Sequence, residues 1–365
     1  MKIIPVIIAG GVGSRLWPVS TITSPKIFLK VNGEYSLLQQ TLLRVLKTDV
    51  KIDRVITVLN SKIYEEVKTQ YELCCSDYDQ DNISFEYIIE PLLRNTAPAV
   101  LSAIIHVQQS CSPLDIILIL PADHIIANQV EFTNAIEEAV IASQQNYIVT
   151  LGVKPEYPET GYGYINIDQN APIIDENIKN VYQVHKFIEK PDLATAEVYY
   201  QSNSYLWNTG LFLANIKTWI QSFQQQQLIM YNAMQAIIAN SRYENNCLWL
   251  DENNFAKLQN LSIDYGIIEH IHNIAVVVCK DLLWSDLGSW RSLANTINTD
   301  EHGNCNFFPN DDTIVHDVND TVIYSTNKKK IVLIGVQDLL IVDHKGCLLI
   351  ANKSESDKIK DIIKI

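Results

Sequence analysis

Four apolar runs of strand length punctuate the first third of the chain: Ile3 to Ile8, Val55 to Leu59, Phe85 to Ile89 and Ile116 to Leu120. They are largely continuous rather than alternating, which suits strands buried on both faces. Leu37 to Leu46 and Ala97 to Gln109 carry helical spacing between them, with Leu38, Leu42 and Val45 along one stripe of the first. Phe132 to Ser143 reads as another helix and Tyr147 to Val153 as a further strand. This alternation predicts an α/β fold on a Rossmann-like, mostly parallel sheet with helices on both faces. Ligands of such sheets sit beyond the carboxyl ends of the strands, so whatever follows each run becomes a candidate.

The first run leads straight into Ala9-Gly10-Gly11-Val12-Gly13-Ser14-Arg15-Leu16-Trp17-Pro18, followed by Pro25-Lys26. Glycine lets backbone amides approach a polyanion, and the two cations add charge, as in a phosphate-binding loop. The dinucleotide fingerprint is excluded because Leu16 stands where its last glycine belongs, and no Gly-Lys-Ser/Thr follows to make a Walker A loop. Glu90-Pro91-Leu92-Leu93-Arg94-Asn95-Thr96 follows the third run, and Pro121-Ala122-Asp123-His124 the fourth.

A formal net charge of −14 argues against a general nucleic-acid binder, which needs basic surface to displace counterions. A small anionic ligand needs only a few cations gathered in one cleft. With 365 residues, 47% hydrophobic and 19% charged, the chain suits one large α/β domain and a smaller unit. Its seven cysteines are scattered and never spaced C-x-x-C, so reduced thiols and a cytoplasmic location are expected, without zinc or disulfides. Lys2 before Ile3 to Ile8 superficially resembles a signal peptide, but the run is short and lacks a cleavage pattern. No run reaches transmembrane length, and neither a membrane nor a nucleic acid is an expected partner.

From Thr150 to about Trp290 the pattern is mixed, with polar residues set between aromatics and glycines: Gly161 to Ile165, Phe187 to Pro191, Trp207 to Phe212 and Trp284 to Trp290. Aromatic faces suit sugar rings, and a few fixed polar groups set orientation. From Thr313 on, short β runs recur at Thr313 to His316, Thr321 to Tyr324, Ile331 to Ile334, Leu339 to Val342 and Cys347 to Ile350. They predict a small all-β or β-helix-like unit, closed by a short helix over Ser354 to Ile365. Asn298 to Asp312, rich in Asn, Asp, Gly and Pro, is the boundary, giving a catalytic domain over 1–300 and a β-rich domain over 301–365.

Read together, Gly11 to Pro18 and Pro25-Lys26 resemble the G-x-G-[ST]-R-L-x-P…P-K signature of the sugar-nucleotide pyrophosphorylases. More narrowly, Arg15-Leu16-Trp17-Pro18, Glu90-Pro91 with Arg94 to Pro98, Pro121 to His124, Phe187 to Pro191, Trp207 to Gly210, Ser262 to Tyr265 and Trp284 to Trp290 resemble the bacterial mannose-1-phosphate guanylyltransferases, in order, over most of residues 3 to 295. Val12, Ile27, Leu93 and Ala122 depart from the usual pattern, and none of them removes a charge. Many relatives carry a further cupin-type isomerase domain; the chain is short for one, and a second activity is not expected.

The resemblance implies transfer of GMP from GTP to mannose 1-phosphate, releasing pyrophosphate, with Mg²⁺ as cofactor. It implies that Arg15 and Lys26 hold the triphosphate and stabilise the leaving group, that Lys190 contacts the sugar phosphate, and that Asp123 and Asp286 bind the metal. Glu189 and Asn208 then read hexose hydroxyls, with Gly163 allowing close approach to the sugar. The backbone of Ala9, Gly10, Gly11 and Gly13, Ser14, and Glu90 with Arg94, Asn95 and Thr96 meet the nucleotide. Plainer readings stand beside these: a loop-closing salt bridge for Arg15, a solvated charge for Lys26, an exposed side chain for Lys190, a helix N-cap for Asp123, a turn before Gly288 for Asp286 and a turn-stabilising side chain for Asn208. His124 reads as a packing residue, and Trp17, Trp284 and Trp290 as pocket walls or core. Alternatives left open are another nucleotide or hexose 1-phosphate, and a catalytically silent sugar-nucleotide sensor. A homodimer is the one macromolecular assembly left open.

Overall fold

The apolar runs become the middle of one eleven-stranded sheet in the computed structural model. It describes residues 1–11, 13–31, 33–75, 83–173, 178–308, 312–327 and 329–363. Val12, part of the expected boundary at 309–311 and the last two residues of the expected terminal helix lie outside these. Two compact units emerge: residues 1–10 with 38–284, and residues 11–37 with 285–365.

In the first unit, β1 (Ile3–Ile8) lies between β2 (Arg54–Asn60) and β4 (Ile116–Pro121), with β3 (Ser84–Glu90) beyond β2, all parallel. Ile7 thus sits level with Thr57 on one side and Leu120 on the other, and its side chain is fully buried. The two-residue strand β5 (Ile125–Ile126) follows β4. Then come β6 (Ile148–Val153), β7 (Gly163–Pro172), β8 (Val181–Glu189), β9 (Tyr205–Asn215), β10 (Arg242–Glu244), β11 (Cys247–Trp249) and β12 (Ile274–Cys279). The order is β10-β11-β3-β2-β1-β4-β9-β6-β12-β8-β7.

The expectation of a mostly parallel sheet needs correction, because the sheet is mixed. It holds for β11-β3-β2-β1-β4 and for β6 beside β12. Strand β9, however, runs antiparallel to β4 and β6, while β7 and β8 pair antiparallel with each other. Antiparallel neighbours need no helical crossover, so this half of the chain lacks the strand–helix rhythm that made the first half readable.

The unit's longer helices are α1 (Leu37–Leu46), α2 (Tyr64–Cys75), α3 (Thr96–Gln108), α4 (Gln129–Gln144), α5 (Leu193–Gln201), α6 (Ile216–Gln226) and α7 (Leu228–Ala239); α3, α4 and α6 pack on the sheet, and α7 packs on α3 and α6. Helix α3 is apolar nearly all round, and its Leu101, Ile104 and Val107 join Trp219, Phe223 and Met234 in the main core. Asn128, not Asp123, caps α4, its side chain accepting from the Glu131 N–H at 3.1 Å. Among the described residues no helix is long and apolar enough to cross a membrane.

In the second unit, parallel contacts join Thr313 to Ile331, Asn319 to Gln337 and Val322 to Leu340, each 18 residues apart. That constant offset is the signature of stacked coils, one short strand per side. The last strand, Cys347–Asn352, turns back antiparallel on Leu339–His344 and ends the stack. Trp290 is fully buried here, its ring 5.4 Å from Tyr324 and its indole N–H donating to the Trp17 carbonyl at 3.4 Å. It is therefore core, as expected.

Candidate active site

The first unit brings Gly10 and Glu90 together at the ends of β1 and β3. A Cβ on Gly10 would lie 3.6 Å from Glu90 Oε2, so the carboxylate packs against bare backbone. Glu90 is 2% exposed, its Oε1 has no hydrogen-bond partner among the described residues, and burial pushes its pKa up to about 8. A buried polar atom left without a partner is rare, because its desolvation is uncompensated. The Ala9 N–H is already used, donating to the Val58 carbonyl at 2.8 Å, so it is not the amide that would meet a ligand.

Arg94, Asn95 and Thr96 follow in the turn after β3. Arg94 Nη2 donates to the Ala256 carbonyl, and the Thr96 hydroxyl accepts from the Ile263 N–H at 2.8 Å, so both side chains fasten the turn to the 256–263 segment. Asn95 stands exposed at φ 67°, its side chain accepting from the Thr96 N–H at the start of α3.

Hexose-side candidates converge at the ends of β7, β8 and β9. Glu189 closes β8 and pairs through its carboxylate with Lys190 Nζ, and Lys190 holds φ 48°, a left-handed conformation that turns the chain sharply there. The Glu189 N–H donates to Glu269 Oε1 at 2.9 Å. A Cβ on Gly163 would lie 2.7 Å from Glu189 Oε2 and 3.1 Å from Phe187, so the missing side chain makes room for that carboxylate. Asn208 is oriented unambiguously: its Oδ1 accepts from Thr150 Oγ1 at 2.8 Å and from the Gly210 N–H at 3.1 Å, which turns its amide N–H toward Asp264 Oδ1 at 3.3 Å. Burial, then the neighbouring Glu189, pushes the Asp264 carboxyl up to about 7. Burial also raises Glu189, and although burial works against the Lys190 charge, Glu189 outweighs it and raises that lysine.

Asp123 leaves β4 directly, its side chain one-third exposed and its Oδ1 3.8 Å from His124 Nε2. In the second unit Gly13 sits at φ +73°, and a Cβ there would meet the Lys26 Cβ at 2.6 Å, so only glycine fits against this lysine. Lys26 is 4% exposed, not the solvated charge of the plainer reading, and its Nζ donates to the Asp286 carbonyl. Asp286 Oδ1 accepts from the Gly288 N–H at 2.8 Å, so it does hold the turn. Half-buried Arg15, beside Ser14 and Gly11 in this segment, makes no ion pair or side-chain hydrogen bond among the described residues.

Sequence reasoning gave no role to Asp264, Glu269 or Thr150. Asp264 lay within the quoted Ser262 to Tyr265 motif, the only signal that pointed to it.

A mixed α/β sheet with polar clusters following its strands suits a nucleotide-using transferase. Residues 4–303 match the nucleotidyl transferase family model, and the chain belongs to that family. It is 35% identical to mannose-1-phosphate guanylyltransferase RfbM of Salmonella typhimurium, covering 100% of this chain and 72% of that protein. It is 34% identical to the alginate biosynthesis protein AlgA of Pseudomonas putida, covering 99% and 71%. Among solved structures, one described as mannose-1-phosphate geranyltransferase from Thermus thermophilus superposes with a TM-score of 0.80 at 28% identity, covering 100% of this chain and 99% of that one.

Proposed function

We infer that the protein transfers GMP from GTP to mannose 1-phosphate, forming GDP-mannose and pyrophosphate in a polysaccharide-building route. Curated relatives of that name, alike over the whole chain, support the reaction. The observation that carries the choice of base is Glu90. Guanine presents N1–H and the 2-amino group side by side, and a carboxylate accepts both at once. Adenine has an acceptor at N1 and uracil a single ring N–H, so neither satisfies a buried carboxylate in this way. A buried oxygen without a partner is the feature such a base would complete.

The reaction joins a phosphate oxygen of mannose 1-phosphate to the α-phosphorus of GTP as the bond to the β-phosphate oxygen breaks. The attacking oxygen is ionised at neutral pH, so no general base is required, and the obstacle is repulsion between anions. In this proposal Arg15 and Lys26 meet the triphosphate and the departing pyrophosphate, and Lys190 meets the sugar phosphate. Glu189 and Asn208 receive hexose hydroxyls, Asn208 through its second N–H.

Asp123 and Asp286 are the residues that would hold Mg²⁺. No group of three His, Cys, Asp or Glu among the described residues forms a metal cage. Carboxylate oxygens suit Mg²⁺, which is commonly bound by one or two of them with substrate phosphates and water. Bound there, the ion supplies charge neutralisation on the phosphates. The test is a panel of nucleoside triphosphates against hexose 1-phosphates: pyrophosphate release from GTP with mannose 1-phosphate should far exceed every other pair. Equal turnover with ATP, UTP or dTTP would overturn the guanylyl assignment, and no turnover with any pair would favour a sensor.

A further inference from the structure

His124 entered as a packing residue, yet three contacts fix it more tightly than packing needs. The Trp284 Nε1–H, which can only donate, reaches His124 Nδ1 at 3.2 Å. Nδ1 must therefore offer its lone pair, which leaves the proton of the neutral ring on Nε2. That nitrogen lies 3.8 Å from Asp123 Oδ1, beyond hydrogen-bond distance but within reach of electrostatic attraction. Trp284 is itself wedged edge-on against His124, with ring centroids 5.5 Å apart, and against Tyr162 at 5.0 Å. The residue before it is tied down where the Ala127 N–H donates to the Leu283 carbonyl at 3.3 Å.

The backbone of the same residue is held from the other side. Arg44 Nη2 donates to the His124 carbonyl at 3.2 Å, and the Arg44 guanidinium lies 5.8 Å from the centre of the Phe132 ring. Arg44 is 4% exposed, and burial lowers its pKa to about 10, still well above neutrality. A buried guanidinium is costly to place, and this one is directed at the carbonyl of the residue after Asp123.

We propose that His124 is a positioning residue for Asp123, set in one tautomer by Trp284 and anchored through its carbonyl by Arg44, so that its Nε2–H edge, 3.8 Å from Oδ1, biases electrostatically which carboxylate oxygen turns to a divalent cation. The inference rests on the proposed metal role of Asp123. A small ion demanding near-octahedral geometry at short distance is sensitive to carboxylate orientation, and the outer partners of metal ligands are where that orientation is set. If His124 merely filled space, a phenyl ring would serve equally well.

The test measures Mn²⁺ binding to the full chain in complex with GDP-mannose, by electron paramagnetic resonance, beside KM for mannose 1-phosphate and melting temperature. Asp123→Asn is the reference and should weaken Mn²⁺ binding. His124→Phe should weaken it about 10–100-fold, the usual effect of losing an outer partner, with KM for mannose 1-phosphate unchanged. Trp284→Phe, which keeps an aromatic ring and removes only the donor, should move binding the same way. His124→Gln, which retains an N–H, should restore most of it. Wild-type Mn²⁺ affinity in Trp284→Phe, or in a His124→Phe protein that melts normally, would overturn the positioning role. Wild-type affinity in Asp123→Asn would instead overturn the metal role on which it stands.

Discussion

Glu90 should release a proton when guanine arrives. Its carboxyl sits at about 8 in the free protein, so at pH 7 about ten molecules hold the proton for each that has lost it. Accepting both guanine N–H groups requires the ionised form. Binding of GDP-mannose at pH 7 should therefore release about 0.9 proton per site, falling to about half at pH 8 and little at pH 9. GDP-mannose is the right ligand because its diphosphate diester has no group of its own titrating near pH 7. Titration calorimetry in two buffers of different ionisation heat reads the number directly. The same shift bears on stability: because the carboxyl is raised above its unfolded value of about 4.5, the unliganded protein loses stability as pH climbs from about 4.5 to about 8, by about 1.4 kcal/mol per unit at most. Glu90→Gln removes both effects, flattening that pH dependence and abolishing the proton release. It should also weaken guanine binding about 10–100-fold, since an amide offers one acceptor and turns a donor toward a donor. Equal proton release from wild type and Glu90→Gln would refute the assignment of guanine to this carboxylate.

Gly13→Ala should lower stability by about 1–3 kcal/mol, because alanine is strained at positive φ and its Cβ would strike Lys26 at 2.6 Å. Gly11→Ala, with nothing within 4 Å, should melt like wild type, and equal melting of the two variants would count against the close fit of Gly13 on Lys26. Chelating Mg²⁺ should stop turnover, yet Mg²⁺ alone should barely move the melting temperature of the unliganded protein, because substrate phosphates are needed to complete its shell. A large shift from Mg²⁺ without nucleotide would mean a preformed metal site.

How much of this was legible depended on which physical signal the residues carried. Strands β1 to β4 were readable because burial on both faces leaves continuous runs such as Ile116–Pro121, and the helices between them keep their own period. Strand β9 was not, because Leu206-Trp207-Asn208-Thr209 mixes core and site residues, and nothing local says that it inserts antiparallel between β4 and β6. The short C-terminal strands were legible as strands, while their stacking emerges only through the pairing of residues 18 apart. At the candidate site, glycines and cations after a strand point to phosphate only weakly until they are read with the later motifs. A residue such as Asp264 does not, since an aspartate after Ser262-Ile263 looks like any helix start until folding sets it against Asn208. The contact between His124 and Trp284 was not legible either, because 160 residues separate them.

The hexose side poses a charge problem of its own. Two carboxylates, Glu189 and Asp264, act on one ammonium, Lys190, and a third, Glu269, accepts from the Glu189 N–H, at a place proposed to receive a sugar phosphate. Fully ionised, that set would repel the substrate. Burial pushes the Asp264 carboxyl up to about 7 and raises Glu189, while the carboxylate beside Lys190 keeps the lysine protonated. The pocket can thus shed negative charge by holding protons near neutrality without giving up its cation. Asp264, holding a proton part of the time near neutrality, can then both donate and accept. Asn208 fits the same logic, since Thr150 and Gly210 occupy its oxygen and leave its amide N–H groups for Asp264 and for a sugar oxygen. In the proposed reaction the cation and the hydrogen-bonding groups would thereby serve different parts of one substrate, Lys190 the phosphate and Asn208 the ring.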